Sequence, residues 1–208
     1  GVAITRSLAL IDTLHPTWEG RAFRWHHDDE QENVTVEYGP TDAGERADAW
    51  QRSPFRHMLD SGTSEFRRLA SELNDADSYA PLAKAFAEGQ TDYFAMVHRF
   101  APDGSVGQMD CSYAQFTTDR AAGFLAHELE ALRRLMPTLS LAIKCTALRR
   151  IAGTIAEVYL GRDAGQQVMA GRITRGVAER IHAVLWFSDL RSFTTITDSA
   201  PPDQIIPL

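Results

Sequence analysis

One short stretch of the chain holds the densest set of metal-binding residue types. Residues 26–30 are His-His-Asp-Asp-Glu, and imidazole and carboxylate groups are ligands that Zn²⁺ takes in proteins. A metal hydrolase would need three or four of these side chains to converge on one ion. The stretch is followed by Gln31 and Glu32 in a segment that joins two predicted strands. A solvated polar turn is therefore the favoured interpretation over a metal site.

A second candidate is a single carboxylate, Asp189. It follows residues 180–187, a nearly continuous apolar run that predicts a strand buried on both faces. A carboxylate at the carboxyl end of such a strand can bind a hard cation such as Mg²⁺. The residues after it are predicted to turn into a helix, whose free backbone N–H groups can hold phosphate oxygens.

A third candidate is a row of polar residues on a predicted strand. The row comprises Gln108, Asp110 and Ser112, and the alternating residues Met109, Cys111 and Tyr113 are predicted to share the opposite face. The polar row would line a ligand pocket or would face water, and the pattern favours neither. His57, His98 and His127 have no serine or cysteine at a recognisable motif spacing, so nucleophilic catalysis is disfavoured.

Composition excludes several classes of protein. Of the 208 residues, 44% are apolar and 24% are charged, which is typical of a globular chain. Residues 1–120 hold 20 acidic and 11 basic residues, so nucleic-acid binding is disfavoured. The apolar runs are shorter than the ~20 residues of a membrane span, and we expect no membrane partner. With two cysteines and no export signal, the expected location is the cytoplasm.

The first half of the chain predicts a mixture of strands and short helices. Ile4, Leu8, Ile11 and Leu14 have helical spacing, and residues 20–26 and 33–38 predict a hairpin. A second hairpin is predicted over residues 91–116, with its turn at residues 102–104.

Two short helices are predicted between the hairpins. Ser53 and Pro54 form a helix start signal that Gly62 would end, and residues 79–88 predict the other helix.

A long helix is predicted from Gly123 onward. Its apolar row is Leu125, Leu129, Leu132, Met136, Leu139 and Ile143, a spacing that predicts packing on another helix. We therefore expect a parallel homodimer through the C-terminal helices, with Cys145 as a small core residue. Pro137 is predicted to kink the helix or to start a new one. Gly161 ends this stretch, and Asp163 with Gln166 is a candidate capping box for a short helix.

Residues 184–194, Val-Leu-Trp-Phe-Ser-Asp-Leu-Arg-Ser-Phe-Thr, resemble the opening of a class III adenylate/guanylate cyclase catalytic domain. In that family a central strand ends in Phe-Ser-Asp, and an aliphatic residue, a variable residue, usually a glycine, and Phe-Thr follow. Residues 161–176 resemble the short transducing segment that enters cyclase domains. Ser192 stands where the family usually has glycine, and serine is the mildest replacement.

The cyclase resemblance implies specific roles. Asp189 would be the first metal aspartate, Leu190 would lend its carbonyl, and Ser192, Phe193 and Thr194 would hold phosphates. Two Mg²⁺ or Mn²⁺ ions would activate the ribose 3'-hydroxyl of ATP or GTP. The family's second metal aspartate, its base-selecting residues and its transition-state Asn and Arg are expected beyond residue 208. The 208-residue chain alone is therefore expected to be inactive.

Residues 123–143 carry a second resemblance. Their Phe-Leu…Glu-Leu-x-x-Leu-x-x-Leu-x-Pro-x-Leu-x-Leu-Ala-Ile pattern is similar to the closing helix of GAF sensor domains, and residues 1–145 follow the GAF order of elements. The expected fold is α+β, an antiparallel sheet flanked by helices. Residues 1–145 would form a GAF-like sensor, 146–178 a signalling helix and linker, and 179–208 the start of a cyclase domain.

These resemblances give two functional hypotheses. The first is the regulatory part of a bacterial nucleotidyl cyclase that makes cyclic AMP or cyclic GMP. The alternative is a free-standing GAF-like module that binds a small molecule. The sequence identifies neither the sensor ligand nor the choice between ATP and GTP.

Overall fold

The computed structural model of the chain describes residues 1–15, 17–27, 34–39, 44–73, 79–100, 109–174, 176, 182, 184–189 and 191–201. The chain divides into two compact units, Gly1–Gly171 and Arg172–Leu208. No helix among the described residues is both long enough and apolar enough to cross a membrane.

The first unit is built on a six-stranded antiparallel sheet with the order β3-β2-β1-β6-β5-β4. The strands are β1 (Arg6–Asp12), β2 (Gly20–His26), β3 (Val34–Tyr38), β4 (Glu65–Leu69), β5 (Asp92–Arg99) and β6 (Cys111–Thr118). One face packs against α1 (Gly44–Gln51), α2 (Pro54–Ser61) and α3 (Ala80–Ala87), and the other against α4 (Ala126–Leu160). The predicted α+β class is confirmed.

The N-terminal segment is a strand, and the helix predicted there is wrong. β1 lies in the middle of the sheet between β2 and β6. Ile11 packs beneath α4 while Leu10 packs beneath α1–α3, so both faces of β1 carry apolar residues. Over a short run, such a pattern also matches helical spacing.

Both predicted hairpins form, as β2–β3 and β5–β6. The turn predicted at residues 102–104 lies outside the described residues. β4 was not predicted, because its Glu-Phe-Arg-Arg-Leu sequence carries one buried apolar side chain, Phe66, and shows no clear alternation.

The predicted helices between the hairpins are confirmed. The Ser53 hydroxyl accepts a hydrogen bond of 3.1 Å from the Arg56 backbone N–H, and Gly62 ends α2 with a φ of 71°. α3 lies inside the range predicted for it. These signals were reliable because each one acts within a single helical turn.

The core beneath α1–α3 is rich in aromatic residues. Phe55 and Met58 from α2 and Leu82 from α3 pack on Tyr93 and Tyr113 of the sheet. The Trp50 ring of α1 meets the Tyr113 ring edge-on at 5.6 Å between centroids. Three short helices are thereby fixed on one sheet face.

α4 is one continuous helix with Pro137 inside it, so a new helix does not start at the proline. Its predicted apolar row faces the chain's own sheet: Leu132 and Met136 pack with Phe94, and Ile143 packs with Ile11. The predicted packing of this row on another helix is therefore wrong. Cys145 is exposed and is not a core residue.

A short helix, α5 (Arg162–Met169), folds back on α4. Its N-cap is Gly161 and no side chain caps it, so the capping box predicted at Asp163 does not form. Gly165 lies directly on the α4 backbone, where a Cβ would come within 2.8 Å of the Glu157 nitrogen.

The second unit contains α6 (Phe193–Ser199). The strand predicted at residues 180–187 is wrong for the part that is described, since residues 182 and 184–187 have no regular secondary structure. Their apolar side chains are exposed, from 79% at Leu185 to 93% at Val184.

Candidate functional site

Of the predicted polar row, the structure describes Asp110 and Ser112. Ser112 is fully buried beneath α4, where its hydroxyl lies 2.8 Å from that of Ser140. Asp110 is exposed and precedes the strand, and Gln108 lies outside the described residues.

The predicted alternation also breaks at Asp110. Met109 packs beneath α4 with Ile143, whereas Cys111 and Tyr113 face the opposite side. The regular alternation starts only at Cys111, where β6 begins.

Polar side chains that the sequence reasoning missed meet at the end of α3. We call Arg6, Glu88 and Thr117 the α3 cluster, and Gln90 lies two residues after Glu88 along the chain. Arg6 and Thr117 are paired neighbours on β1 and β6, and Arg6 forms an ion pair with Glu88. Gln90 and Thr117 are 4% and 2% exposed. Gln90 Oε1, Thr117 Oγ1 and Arg6 Nε are buried without a hydrogen-bond partner.

These unpaired atoms define what the α3 cluster can bind. A buried polar atom without a partner costs ~1–3 kcal/mol. A small molecule that donates to Thr117 and accepts from Arg6 would recover that cost at these two adjacent residues. The sequence signal was the polar pair Gln115 and Thr117, which alternates with Ala114 and Phe116 along β6.

A second polar group lies at the other end of the same sheet face. The Tyr38 hydroxyl donates to Asp12 at 2.9 Å. It lies so close to Gly20 that a Cβ there would come within 2.0 Å of the hydroxyl oxygen. The glycine therefore makes the space in which this tyrosine and aspartate meet.

Burial dominates the electrostatics of this group. It raises the pKa of Asp12 to about 6, although the Tyr38 hydrogen bond opposes the rise. Burial likewise raises the pKa of the Cys111 thiol to about 12 and raises the pKa of Tyr38 and Tyr113. Cys111 is therefore a protonated thiol at neutral pH, and a poor nucleophile.

Two acid–arginine pairs hold the start of α4 against the sheet. Asp92 is fully buried and accepts from Arg67 Nη2 at 2.7 Å and from the Phe124 backbone N–H at 2.8 Å. Gly123 packs on this carboxylate, where a Cβ would come within 2.6 Å of Asp92 Oδ2.

The second pair joins Arg120 and Glu128. Glu128 also accepts from the Leu125 backbone N–H at 2.8 Å and the Ala3 N–H at 3.2 Å. The Arg120 hydrogen bond is the largest influence that lowers the pKa of Glu128 to about 2. Movement of β1 or β5 would thus be passed directly to the first turn of α4.

The remaining predicted metal ligands do not assemble a centre within the described part of the chain. His26 ends β2 and His27 follows it, while residues 28–30 lie outside that part. Nowhere in the described ranges do three or more His, Cys, Asp or Glu side chains form a group that could hold a metal ion. Asp189 is described but does not make a Mg²⁺ or Mn²⁺ site by itself.

The cyclase-like segment shows one unusual backbone conformation. Ser192 has a φ of 62°, the only such positive value among the described non-glycine residues, and α6 begins at the next residue, Phe193. Thr194 is in the first turn of α6, and Leu190 lies outside the described residues. A left-handed φ favours glycine, the residue usual in the family at this position.

No protein-family model matches the chain, and no curated protein matches it. Among solved structures, the GAF domain of a two-component sensor histidine kinase from Bacillus halodurans is similar, with a TM-score of 0.40 and 10% sequence identity. The similarity covers 70% of this chain and 84% of that one.

Proposed function

We propose that residues 1–171 act as a GAF-like signalling module, in which a small molecule bound beneath α3 alters the packing of α4 on the sheet. The observation that carries the proposal is the chemical difference between the two faces of one sheet. The face beneath α1–α3 holds the unpaired polar atoms of the α3 cluster, while the opposite face holds α4 through apolar packing.

The connection between the two faces supports transmission. Thr117 and Thr118 are neighbours at the end of β6, and Thr118 pairs with Asp92 across the sheet. Asp92 holds Phe124 just before α4 begins. A ligand that shifts β6 at Thr117 therefore acts one residue away from the strand pair that anchors α4.

A thermal-shift screen of the 208-residue chain tests this proposal. The probes are ATP, GTP, cyclic AMP, cyclic GMP, citrate and inorganic phosphate. We expect at least one probe to raise Tm, since a ligand that binds only the folded state stabilises it. Arg6→Met should remove that rise.

The matched control is Arg134→Met, because Arg134 lies on α4 with an 80% exposed side chain. This variant should keep the ligand-dependent rise. If no probe shifts Tm, or if Arg6→Met keeps the full shift, binding at the α3 cluster is contradicted.

The observation at Ser192 favours a second candidate, in which the module regulates a nucleotidyl cyclase. The left-handed φ of Ser192 and the start of α6 at Phe193 support this candidate, since the resemblance implies a tight turn after Asp189 and then a helix N-terminus. When bound, Mg²⁺ or Mn²⁺ would supply charge neutralisation to the triphosphate. Asp189 would contribute one carboxylate to that site.

Cyclic-nucleotide production by a protein extended beyond residue 208 tests this candidate. Asp189→Ala and Asp189→Asn should abolish activity at saturating Mn²⁺, because both remove the charge that neutralises the metal. Ser192→Gly should keep or raise activity, and the 208-residue chain alone should make no product. A folded Asp189→Ala protein with near wild-type turnover would contradict the metal assignment.

A further inference from the structure

Two arginines meet one carboxylate on the sheet face that α4 covers. Arg21 of β2 pairs with Ile11 of β1 and with Glu37 of β3 in the sheet register, and Ile11 packs beneath α4. Because paired residues of neighbouring strands share a face, Arg21 and Glu37 both lie on the α4 side. Arg150 reaches the same carboxylate from α4. We call Arg21, Glu37 and Arg150 the arginine bridge.

Both guanidinium groups of the arginine bridge converge on one oxygen atom. Arg21 Nη2 lies 3.1 Å from Glu37 Oε1, and Arg150 Nη1 lies 3.5 Å from the same atom. The side chain of Arg21 is 9% exposed, whereas that of Glu37 is 36% exposed and that of Arg150 is 60% exposed. The bridge therefore joins a buried cation to two groups that solvent reaches.

One carboxylate does not balance two guanidinium groups. Arg21 Nε is in addition buried without a hydrogen-bond partner in the described part of the chain. Burial lowers the pKa of Arg21 and the charge of Arg150 lowers it further, whereas Glu37 raises it. Arginine nevertheless keeps its charge in proteins, so the excess positive charge persists. A second negative charge at this place would stabilise the folded protein.

We propose that the arginine bridge binds a phosphate dianion, either inorganic phosphate or the phosphate group of a small phosphate monoester. The anion takes the place of the Glu37 carboxylate between the two guanidinium groups. Glu37 lies on the edge strand β3 and is partly exposed, so its side chain can turn toward solvent. The site is independent of the ligand proposed beneath α3, since it lies on the opposite face of the sheet.

The charges favour phosphate over a carboxylate ligand. Guanidinium groups present paired N–H donors that match the oxygen atoms of phosphate. A dianion balances both arginines, whereas a monocarboxylate supplies only the single charge that Glu37 already supplies. The chain has a net charge of -7 and as a whole repels anions, so phosphate binding has to come from a local site.

Calorimetric titration of the 208-residue chain tests the site. The probes are inorganic phosphate, glycerol phosphate as a monoester and acetate as a monoanion, at constant ionic strength and at a mildly alkaline pH where phosphate is a dianion. We expect saturable binding of inorganic phosphate, of glycerol phosphate or of both, and the tighter of the two identifies the source of the anion. Absence of binding by both, or equally tight binding of acetate, would overturn the inference.

Arg150→Gln removes one of the two guanidinium groups. It should weaken phosphate binding by about tenfold, because hydrogen bonds to charged groups are lost. The matched control is Arg149→Gln, which removes the same charge from the neighbouring exposed position of α4 and should keep the affinity. Equal weakening in both variants would show that net charge rather than the arginine bridge causes binding.

Glu37→Gln should have the opposite effect. It removes the carboxylate that competes with the anion, so phosphate should bind about tenfold more tightly. The matched control is Asp60→Asn, which removes the carboxylate paired with a single surface arginine, Arg56, and should leave the affinity unchanged. Unchanged or weaker binding in a Glu37→Gln protein that is folded by circular dichroism would contradict the displacement of Glu37.

One further variant separates this site from the α3 cluster. Arg6→Met should keep phosphate binding at the arginine bridge, because Arg6 lies on the other face of the sheet. Phosphate binding that is lost in Arg6→Met and kept in Arg150→Gln would overturn this inference and favour the α3 cluster. A screen in which Arg6→Met keeps every rise in Tm would contradict ligand binding at the α3 cluster and leave the Arg150→Gln result standing.

Discussion

At the scale of single residues, the buried acids of the sheet are of two kinds. Asp92 and Glu128 are paired with arginines and backbone N–H groups. Asp12 accepts a hydrogen bond from the Tyr38 hydroxyl, and burial raises its pKa. The first kind stabilises the fold as a charged group, and the second favours the protonated form.

We predict that Asp12 makes the fold less stable as pH rises toward neutrality. Its pKa is 3.8 in the unfolded chain and about 6 in the fold, so the folded state binds the proton more tightly. Its contribution is fully present below the unfolded value and is lost as pH rises through about 6. The expected loss is ~2 kcal/mol, allowing for partial exposure.

Urea unfolding across this pH range measures the effect. Asp12→Asn cannot ionise, so the difference in unfolding free energy between it and wild type should change in that window. Asp60→Asn is the matched control, since Asp60 is 58% exposed in a surface pair. Parallel pH profiles for wild type and Asp12→Asn would show that Asp12 does not titrate with a raised pKa.

Residue-level features were predictable from sequence where they were local. The Ser53 cap and the Gly62 stop depend on neighbours within one turn. The Ser112–Ser140 hydrogen bond and the α3 cluster join distant segments, and a single sequence does not show which distant polar residues will meet.

At the scale of elements, the same distinction explains which strands and helices were found. The hairpins β2–β3 and β5–β6 pair neighbouring segments and show clear alternation. β1 pairs with its neighbour β2 as well as with the distant β6, but it carries apolar residues on both faces and so shows no alternation. For α4, the spacing identified the buried row but not whether a sheet or a helix would cover it.

We predict that the α4–α5 pair depends on the absence of a side chain at residue 165. Gly165→Ala would place a Cβ within 2.8 Å of the Glu157 nitrogen and 2.9 Å of the Ala156 carbonyl carbon. Backbone atoms of a helix do not move aside easily, so α5 should separate from α4. Amide hydrogen exchange over residues 162–169 should become faster.

The matched control is Gly153→Ala, also within this helix pair. A Cβ at Gly153 meets nothing within 4 Å, so alanine should stabilise α4 by ~0.5–1 kcal/mol. Unchanged exchange in Gly165→Ala would show that α5 tolerates a wider separation from α4.

At the scale of the whole molecule, the apolar core lies in the first compact unit. Its buried clusters combine both faces of one sheet with α1–α4. The described apolar residues 184–187 of the second unit are largely exposed and add little burial. Among the described residues, the buried apolar clusters that stabilise the fold therefore belong to residues 1–171.

We predict that a chain ending at Gly171 keeps the unfolding free energy of the 208-residue protein to within ~0.5 kcal/mol, the range of changes that touch no core contact. Chemical denaturation of both chains, followed by tryptophan fluorescence and circular dichroism, measures this. A clearly less stable truncated chain would mean that residues 172–208 contribute to the core.

The exposed segment Val184-Leu185-Trp186-Phe187 has a consequence for how the polypeptide behaves in concentrated solution. Exposed short apolar segments of strand-forming residues are templates for intermolecular pairing. Aggregation of the 208-residue polypeptide should therefore begin from the native state, without prior unfolding. A chaperone that recognises extended apolar peptides would therefore bind this segment even when residues 1–171 are folded.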